Sequence, residues 1–326
     1  MSNRLILIIW GSGAVTAFLI LLSYSMSSPR NASDCPPCNC APPARRPLPE
    51  HNAYKECKLR WDYECPLPDP NTLRTHPHIV EKYEKMHSME WQNHAPKYVQ
   101  FWNHCAEHTP PPFAPFFTED NGTLRFPLMD RVALFCLVSS VQPRRIIEIG
   151  AGESTKAFRL AIEYVQNSFD QSYDPAHTVI EPFWAPIVPP GPTLIESTLQ
   201  EADWTMFQSL KENDVLFIDS SHVLQPFGDT LAEFLFILPS LSPGVIVHIH
   251  DIFLPWDYPH SSWGLRPYAE QWLLALMLSS PRPAWDVVWP SAFARRELSK
   301  NISTLPPGAP PYTFNAASMW IKKIGA

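Results

Sequence analysis

The chain has 326 residues, 45% of them hydrophobic, enough for one large domain with an accessory segment. Its formal net charge of -7 argues against a nucleic-acid partner, which would call for a basic surface. The 37 prolines cluster, and "SSPRNASDCPPCNCAPPARRPLPE" and "TPPPFAPFF" read as extended, poorly packed segments.

From Leu5 to Leu22, "LILIIWGSGAVTAFLILL" carries no charge and follows Arg4. As a helix it spans about 27 Å, the thickness of a thin secretory-pathway membrane. Residues 1–28 are therefore expected to be a cytosolic tip and transmembrane signal-anchor, with cleavage near Ser23 to Ser25 and secretion as the alternative. Arg30 opposes Arg4, so the positive-inside bias is weak. Sequons at Asn31, Asn121 and Asn301 favour a lumenal body, as do Cys35, Cys38, Cys40, Cys57, Cys65 and Cys105 in loop-like sequence.

Residues 29–50 form the expected stem, without regular structure because proline removes donors and restricts its neighbours. Its "CPPCNC" has no second pair at metal-ligand spacing, so disulfides within or between stems are expected, the latter giving a linked homodimer. Residues 51–125 hold one helical pattern around "HIVEKYEKMHSMEWQNHAPKYVQFWNHC" and read as a cap or lid. Cys136, in the helix-like "DRVALFCLVSS", reads as a core residue.

After Phe126 the strand candidates "RIIEI", "HTVIE", "TLIES", "DVLFID" and "GVIVHIH" alternate with helical patterns. That alternation implies a doubly wound, Rossmann-like α/β sheet across 126–326, with ligands bound beyond the carboxyl ends of the strands. The strand-like "SMWIKK" is expected to insert antiparallel as the seventh strand over Ser318 to Lys322.

The first strand runs into Glu148, Gly150, Gly152, Glu153 and Ser154, where glycine permits close approach of a ligand to the backbone. A tight strand-to-helix turn in any α/β protein looks similar, and Thr155 stands where a dinucleotide fingerprint wants Gly or Ala. Glu181 ends the second strand, where a carboxylate can accept both hydroxyls of a ribose or serve as an ordinary loop acid.

The glycine turn, Glu181, "NDVLFIDSSHV" and "SPGVIVHIHDIFLPWDYP" together resemble the class I S-adenosylmethionine-dependent methyltransferases, in the branch marked by FIDSSH and HDI (methyltransferase-domain family 24 type). The leading helix "FPLMDRVALFCLVSS", the helix "YAEQWLLALML" and the terminal "SMWIKKI" extend that resemblance over 126–326. It implies S-adenosylmethionine as cofactor. Gly150, Gly152 and Glu153, with Glu148 and Ser154, would border its methionine part, Glu181 would hold the ribose, and Gln200 and Glu201 would lie on the adenine side.

Methyl transfer to a hydroxyl needs alignment and removal of a proton. Asp219, His222, His250 and Asp251 fall at the ends of the fourth and fifth strands and are the catalytic candidates, Asp219 also bordering the cofactor. Singly, Asp219 reads as a helix cap, His222 as a loop residue and His248 or His250 as a satisfied core histidine.

Two mechanisms stay open. His250 or His222 takes the proton while Asp251 or Asp219 orients it, or Asp219, Asp251 and His222 hold a divalent metal ion that acidifies the acceptor. A lumenal enzyme of this branch implies a glycan hydroxyl as acceptor, with Golgi or endoplasmic reticulum as the compartment. "FLPWDYPHSSW" and "EWQNHAPKYVQFW" could stack on sugar faces or pack the core. A small-metabolite or protein acceptor, or an inactive membrane-anchored binding protein, is the alternative.

Overall fold

The computed structural model describes residues 91–108, 126–183, 189–259, 266–301 and 316–325, all within the unit Asn52–Ala326. The apolar span Leu5 to Leu22, the 29–50 stem, Asn31, Asn121, Cys35, Cys38, Cys40, Cys57 and Cys65 lie outside the described residues. No described helix is long and apolar enough to cross a membrane. Asn301 is exposed in a turn.

Five parallel strands make most of the sheet: β1 (Arg145–Ile149), β2 (Ala176–Ile180), β3 (Thr193–Ile195), β4 (Val215–Ile218) and β5 (Ile246–His250). With β6 (Trp285–Pro290) and β7 (Ser318–Lys323) the order is β3-β2-β1-β4-β5-β7-β6. β7 runs antiparallel to both neighbours, pairing Ser318 with His250 and Lys322 with Ile246, as its sequence led us to expect. The central "VLFI" and "IVHIH" are buried at every position. Strands covered on both faces need such continuous apolar runs rather than alternation.

The winding reverses between β1 and β4, which creates a crevice beyond their carboxyl ends. α1 (Ala95–His108) and α3 (Glu153–Ser168) both pack on α2 (Leu128–Val141). α2 is buried at every residue from Leu128 to Val138, as a helix that is apolar nearly all round must be. Short α4 (Thr205–Gln208) follows β3. α5 begins at Asp229–Ala232, passes through a π turn at Glu233–Ile237 and ends at Leu238–Ser240. α6 (Glu270–Leu278) precedes β6 and α7 (Ser291–Glu297) follows it.

Two sequence expectations change. Cys105 lies in a helix, not a loop, and it is bonded to Cys136, so Cys136 does more than pack: the disulfide ties α1 to α2. The aromatics of "EWQNHAPKYVQFW" fill the core instead of offering sugar-binding faces. Trp91 and Tyr98 meet Phe293 edge-on at 5.6 and 6.4 Å, and Trp102 stacks on Trp289 at 5.3 Å. The described part of the expected cap, 91–108, is therefore packed against β6 and α7.

Candidate active site

The turn after β1 uses its two glycines for different reasons. Gly150 has φ +91, and a Cβ there would collide with the backbone carbonyl of Asp219 at the end of β4. Its neighbour Ile149 accepts the Asp219 N–H at 2.9 Å, so β1 and β4 touch at the switch point. Gly152 has φ 164, ordinary extended backbone, and a Cβ would meet nothing within 4 Å. Neither strain nor packing within the described residues asks for glycine at that position. What its bare backbone leaves is room for close approach of a ligand.

Glu148 is fully buried and accepts hydrogen bonds from Ser154 Oγ at 2.9 Å and Thr155 Oγ1 at 3.3 Å, with His177 Nε2 at 2.6 Å. Glu148 and Ser154 thus hold the turn from behind. Glu153, at the start of α3, pairs with Lys156 at 2.6 Å and lies 4.0 Å from the Arg131 guanidinium. Glu181 sits at the carboxyl end of β2 and accepts the Ala151 N–H at 3.0 Å and the Phe183 N–H at 2.9 Å, one on each oxygen. A carboxylate has about four acceptor positions, so two remain for hydroxyl donors. Gln200 donates to the Phe227 carbonyl at 3.0 Å, while Glu201 accepts from Thr198 Oγ1 at 3.0 Å; both are exposed.

Past β4 and β5 the four catalytic candidates converge. His222 Nε2 lies 3.3 Å from Asp219 Oδ1 and 3.5 Å from Asp251 Oδ2, and His250 Nε2 lies 3.6 Å from Asp251 Oδ1. Asp251 therefore stands between two imidazoles. His222 and Asp251 have φ 62 and 54, in the left-handed region that non-glycine residues seldom adopt. Such strain persists where surrounding structure fixes it, typically at functional sites.

Three acids that sequence reasoning passed over complete the cluster. Glu270, at the start of α6, is fully buried and holds His222 Nδ1 at 2.6 Å. Glu233, on the π turn, is fully buried and accepts from Ser220 Oγ at 3.2 Å. Asp130, on α2, accepts the Ala317 N–H at 2.9 Å and the Ser318 hydroxyl at 2.5 Å, locking α2 onto β7. A signal existed for Asp130: an acid inside an otherwise apolar helix must find donors.

The protonation pattern follows from burial and these contacts. Burial alone would depress His222, but Glu270 and Asp219 raise it well above the usual histidine value, so it is an imidazolium at neutral pH. His250 is likewise depressed by burial and carried upward by Asp219, Asp251 and Asp130. Burial would raise Asp219, but His250 and His222 draw it below its usual value. Burial pushes Asp251 up to about 6 against the opposing pull of His250 and His222. His248, fully buried and stacked on Phe217 at 4.1 Å, is driven well down by burial and by the charge of His250. It is a neutral core residue.

No group of three or more His, Cys, Asp or Glu among the described residues is arranged to hold a metal ion.

Residues 147–252, from β1 past the end of β5, match the family model described as a methyltransferase domain. Over that segment the chain is similar to methyltransferase domains. The open Gly152 backbone and the spare acceptor positions of Glu181, both at the switch point of the strand order, fit the S-adenosylmethionine that the sequence resemblance implies.

Among solved structures the chain is similar to an S-adenosylhomocysteine-bound methyltransferase of Podospora anserina, at 16% identity and TM-score 0.33 over 81% of this chain and 99% of that one. It is also similar to a putative O-methyltransferase of Klebsiella pneumoniae, at 16% and 0.38 over 70% and 99%. A third is the S-adenosylmethionine-bound O-methyltransferase TomG of Streptomyces achromogenes, at 14% and 0.35 over 70% and 99%. No curated protein matches the chain.

Proposed function

We propose that the methyltransferase domain O-methylates an acceptor hydroxyl bound beyond β4 and β5, with Asp251 taking the proton. The observation that carries this reading is the Asp251 carboxyl, held at about 6 between His222 and His250. A general base works best with a pKa near the operating pH, and a carboxylate this basic is ionised at neutral pH yet still attracts a proton. His250 and His222 serve less well, since neighbouring acids shift each of them toward its protonated form.

Bound S-adenosylmethionine supplies an electrophilic methyl group on a positively charged sulfur. Glu181 and the open Gly152 backbone would hold that cofactor so that its methyl could pass to the acceptor oxygen, the carbon–sulfur electron pair remaining with sulfur. The hydroxyl proton passes to an Asp251 oxygen. His222, clamped by Glu270 behind and Asp219 beside it, fixes the position of Asp251 and supports its ionised form.

The acceptor we favour is a carbohydrate hydroxyl, in a protein tethered by Leu5 to Leu22 in the lumen of the Golgi or endoplasmic reticulum. Its support is the apolar N-terminal span together with the sequons, not aromatic stacking. Trp256 already lies under the Arg296 guanidinium at 4.1 Å and parallel to Phe293 at 6.3 Å.

Calorimetric titration with S-adenosylhomocysteine, followed by labelled methyl transfer onto fractionated glycans and onto small hydroxylated compounds, tests the reading. Saturable binding and label on glycans are expected. Binding without transfer to any hydroxyl would defeat it. Chelator should leave turnover intact, whereas loss restored by a divalent cation would move the proton-acidifying role to a metal.

A further inference from the structure

A pocket of about 520 Å³ opens beside the catalytic cluster, lined by Phe253, Trp256, Asp257, Arg295, Arg296 and Ala316 among others. That volume lies in the range of small-molecule sites. Phe253 follows Asp251 by two residues, so their Cα atoms are at most about 7.6 Å apart. Ala316 precedes Ala317, whose N–H is held by Asp130 and whose carbonyl accepts the Ile252 N–H at 3.1 Å. The pocket and the proton-accepting carboxylate therefore share one backbone frame. Gln271 steadies that frame: its Oε1 accepts the Phe253 N–H at 3.0 Å and its Nε2 donates to the Trp256 carbonyl at 3.4 Å.

The charges on the wall are mostly cationic. The Arg296 guanidinium carbon lies 4.1 Å from the centre of the Trp256 ring, with its carboxylate neighbour Glu297 3.8 Å away. Arg295 has neither hydrogen bond nor ion pair to any described residue, and burial alone lowers its pKa, with no carboxylate to offset it. Asp257, the acid on this wall, is turned to its own chain, its Oδ1 accepting the Tyr258 N–H at 2.7 Å. An exposed guanidinium on a pocket wall, with five donors and no acceptor partner among the described residues, is matched by an oxyanion, which it can hold through two parallel bonds.

We propose that this pocket binds a carboxylate or sulfate group of the acceptor through Arg295, with Arg296 beside it, so that the substrate class is an acidic hydroxylated molecule rather than a neutral one. The assignment of the guest as the acceptor rests on the methyl-transfer reading; the anion site itself does not.

The test titrates the full chain, saturated with S-adenosylhomocysteine, with glucuronate, inorganic sulfate and glucose at constant ionic strength, because surface charge effects are screened by salt. Saturable binding of glucuronate or sulfate with Kd below about 10 mM, and none of glucose, is expected. Which of the two anions binds tells carboxylate from sulfate recognition. Arg295→Gln should weaken that binding about 10- to 100-fold, the scale of a hydrogen-bonded ion pair, and leave S-adenosylhomocysteine affinity unchanged. Arg295→Lys, which keeps the charge but loses the fork, should fall between, and it decides the matter if the Gln variant does not fold.

No saturable anion binding, binding as tight in Arg295→Gln as in the parent, or equal binding of glucose would overturn the proposal. Methyl transfer to neutral acceptors alongside such a result would leave the methyl-transfer reading standing. Anion binding without any methyl transfer would do the reverse.

Discussion

Asp251 combines a left-handed backbone, a buried carboxyl and two charged neighbours, and each has a measurable consequence. Its folded pKa of about 6 lies above the ordinary 3.8, so the folded state binds a proton more tightly than the unfolded one. Stability from this group is therefore lost as pH rises from about 4 to about 6, by up to about 3 kcal/mol. Asp251→Asn removes the ionisation and keeps a residue type that tolerates the left-handed region. Melting curves should show the variant more stable than the parent at pH 8 and no more stable at pH 4, while kcat falls about 10²- to 10⁴-fold. In the parent, kcat/KM should rise with pH through about 6 and fall again where His222 loses its proton, above the usual histidine range. A profile flat across pH 5 to 7 (about one unit either side of the Asp251 value) would remove Asp251 as the base. Glu181→Gln keeps the shape of the carboxylate and removes its charge, and should weaken S-adenosylmethionine binding by about 1.5 to 3 kcal/mol in calorimetry.

At the scale of elements, the α2–β7 lock depends on one acid. Asp130→Ala strands the Ala317 N–H and leaves Ser318 Oγ with only Ser291 Oγ, at 2.9 Å; the buried loss should cost about 1 to 3 kcal/mol in denaturant unfolding. The strands were legible because "VLFI" is apolar throughout and "IVHIH" is β-branched or histidine at each position, and β7 because "SMWIKK" reads as a strand. Gly150 and Gly152 were legible as a turn, but not their separate reasons, since the clash that requires Gly150 comes from Asp219, far along the chain. Asp219, His222, His250 and Asp251 were legible as strand-end residues. Their division of labour was not, because it depends on Glu270 reaching His222 across 48 positions and Asp130 reaching Ser318 across 188. The π turn that carries Glu233 inside α5 has no signature in "DTLAEFLFILPS".

At the scale of the whole molecule, the Cys105–Cys136 disulfide closes a loop with sequence separation 31 between α1 and the α2 core. Constraint of the unfolded chain by a loop of that size contributes about 3 to 4 kcal/mol. Reduction, or the paired change Cys105→Ala with Cys136→Ala, should lower the melting temperature by several degrees, and protein made in a reducing cytosol should melt with the reduced form. Equal melting of the oxidised and reduced protein would count against this contribution. The strand order carries a consequence of a different kind. A ribosome makes β7 after every other described strand, yet β7 sits between β5 and β6 and gives Ser318 its place beside His250. Until those residues clear the exit tunnel, β5 has an open edge, Asp130 has no Ser318 to hold, and the donors that set Asp251 lack their frame. Synthesis and competence are thus separated in time: a nascent chain cut short before Ser318 would have all four candidate residues in its sequence and no assembled site.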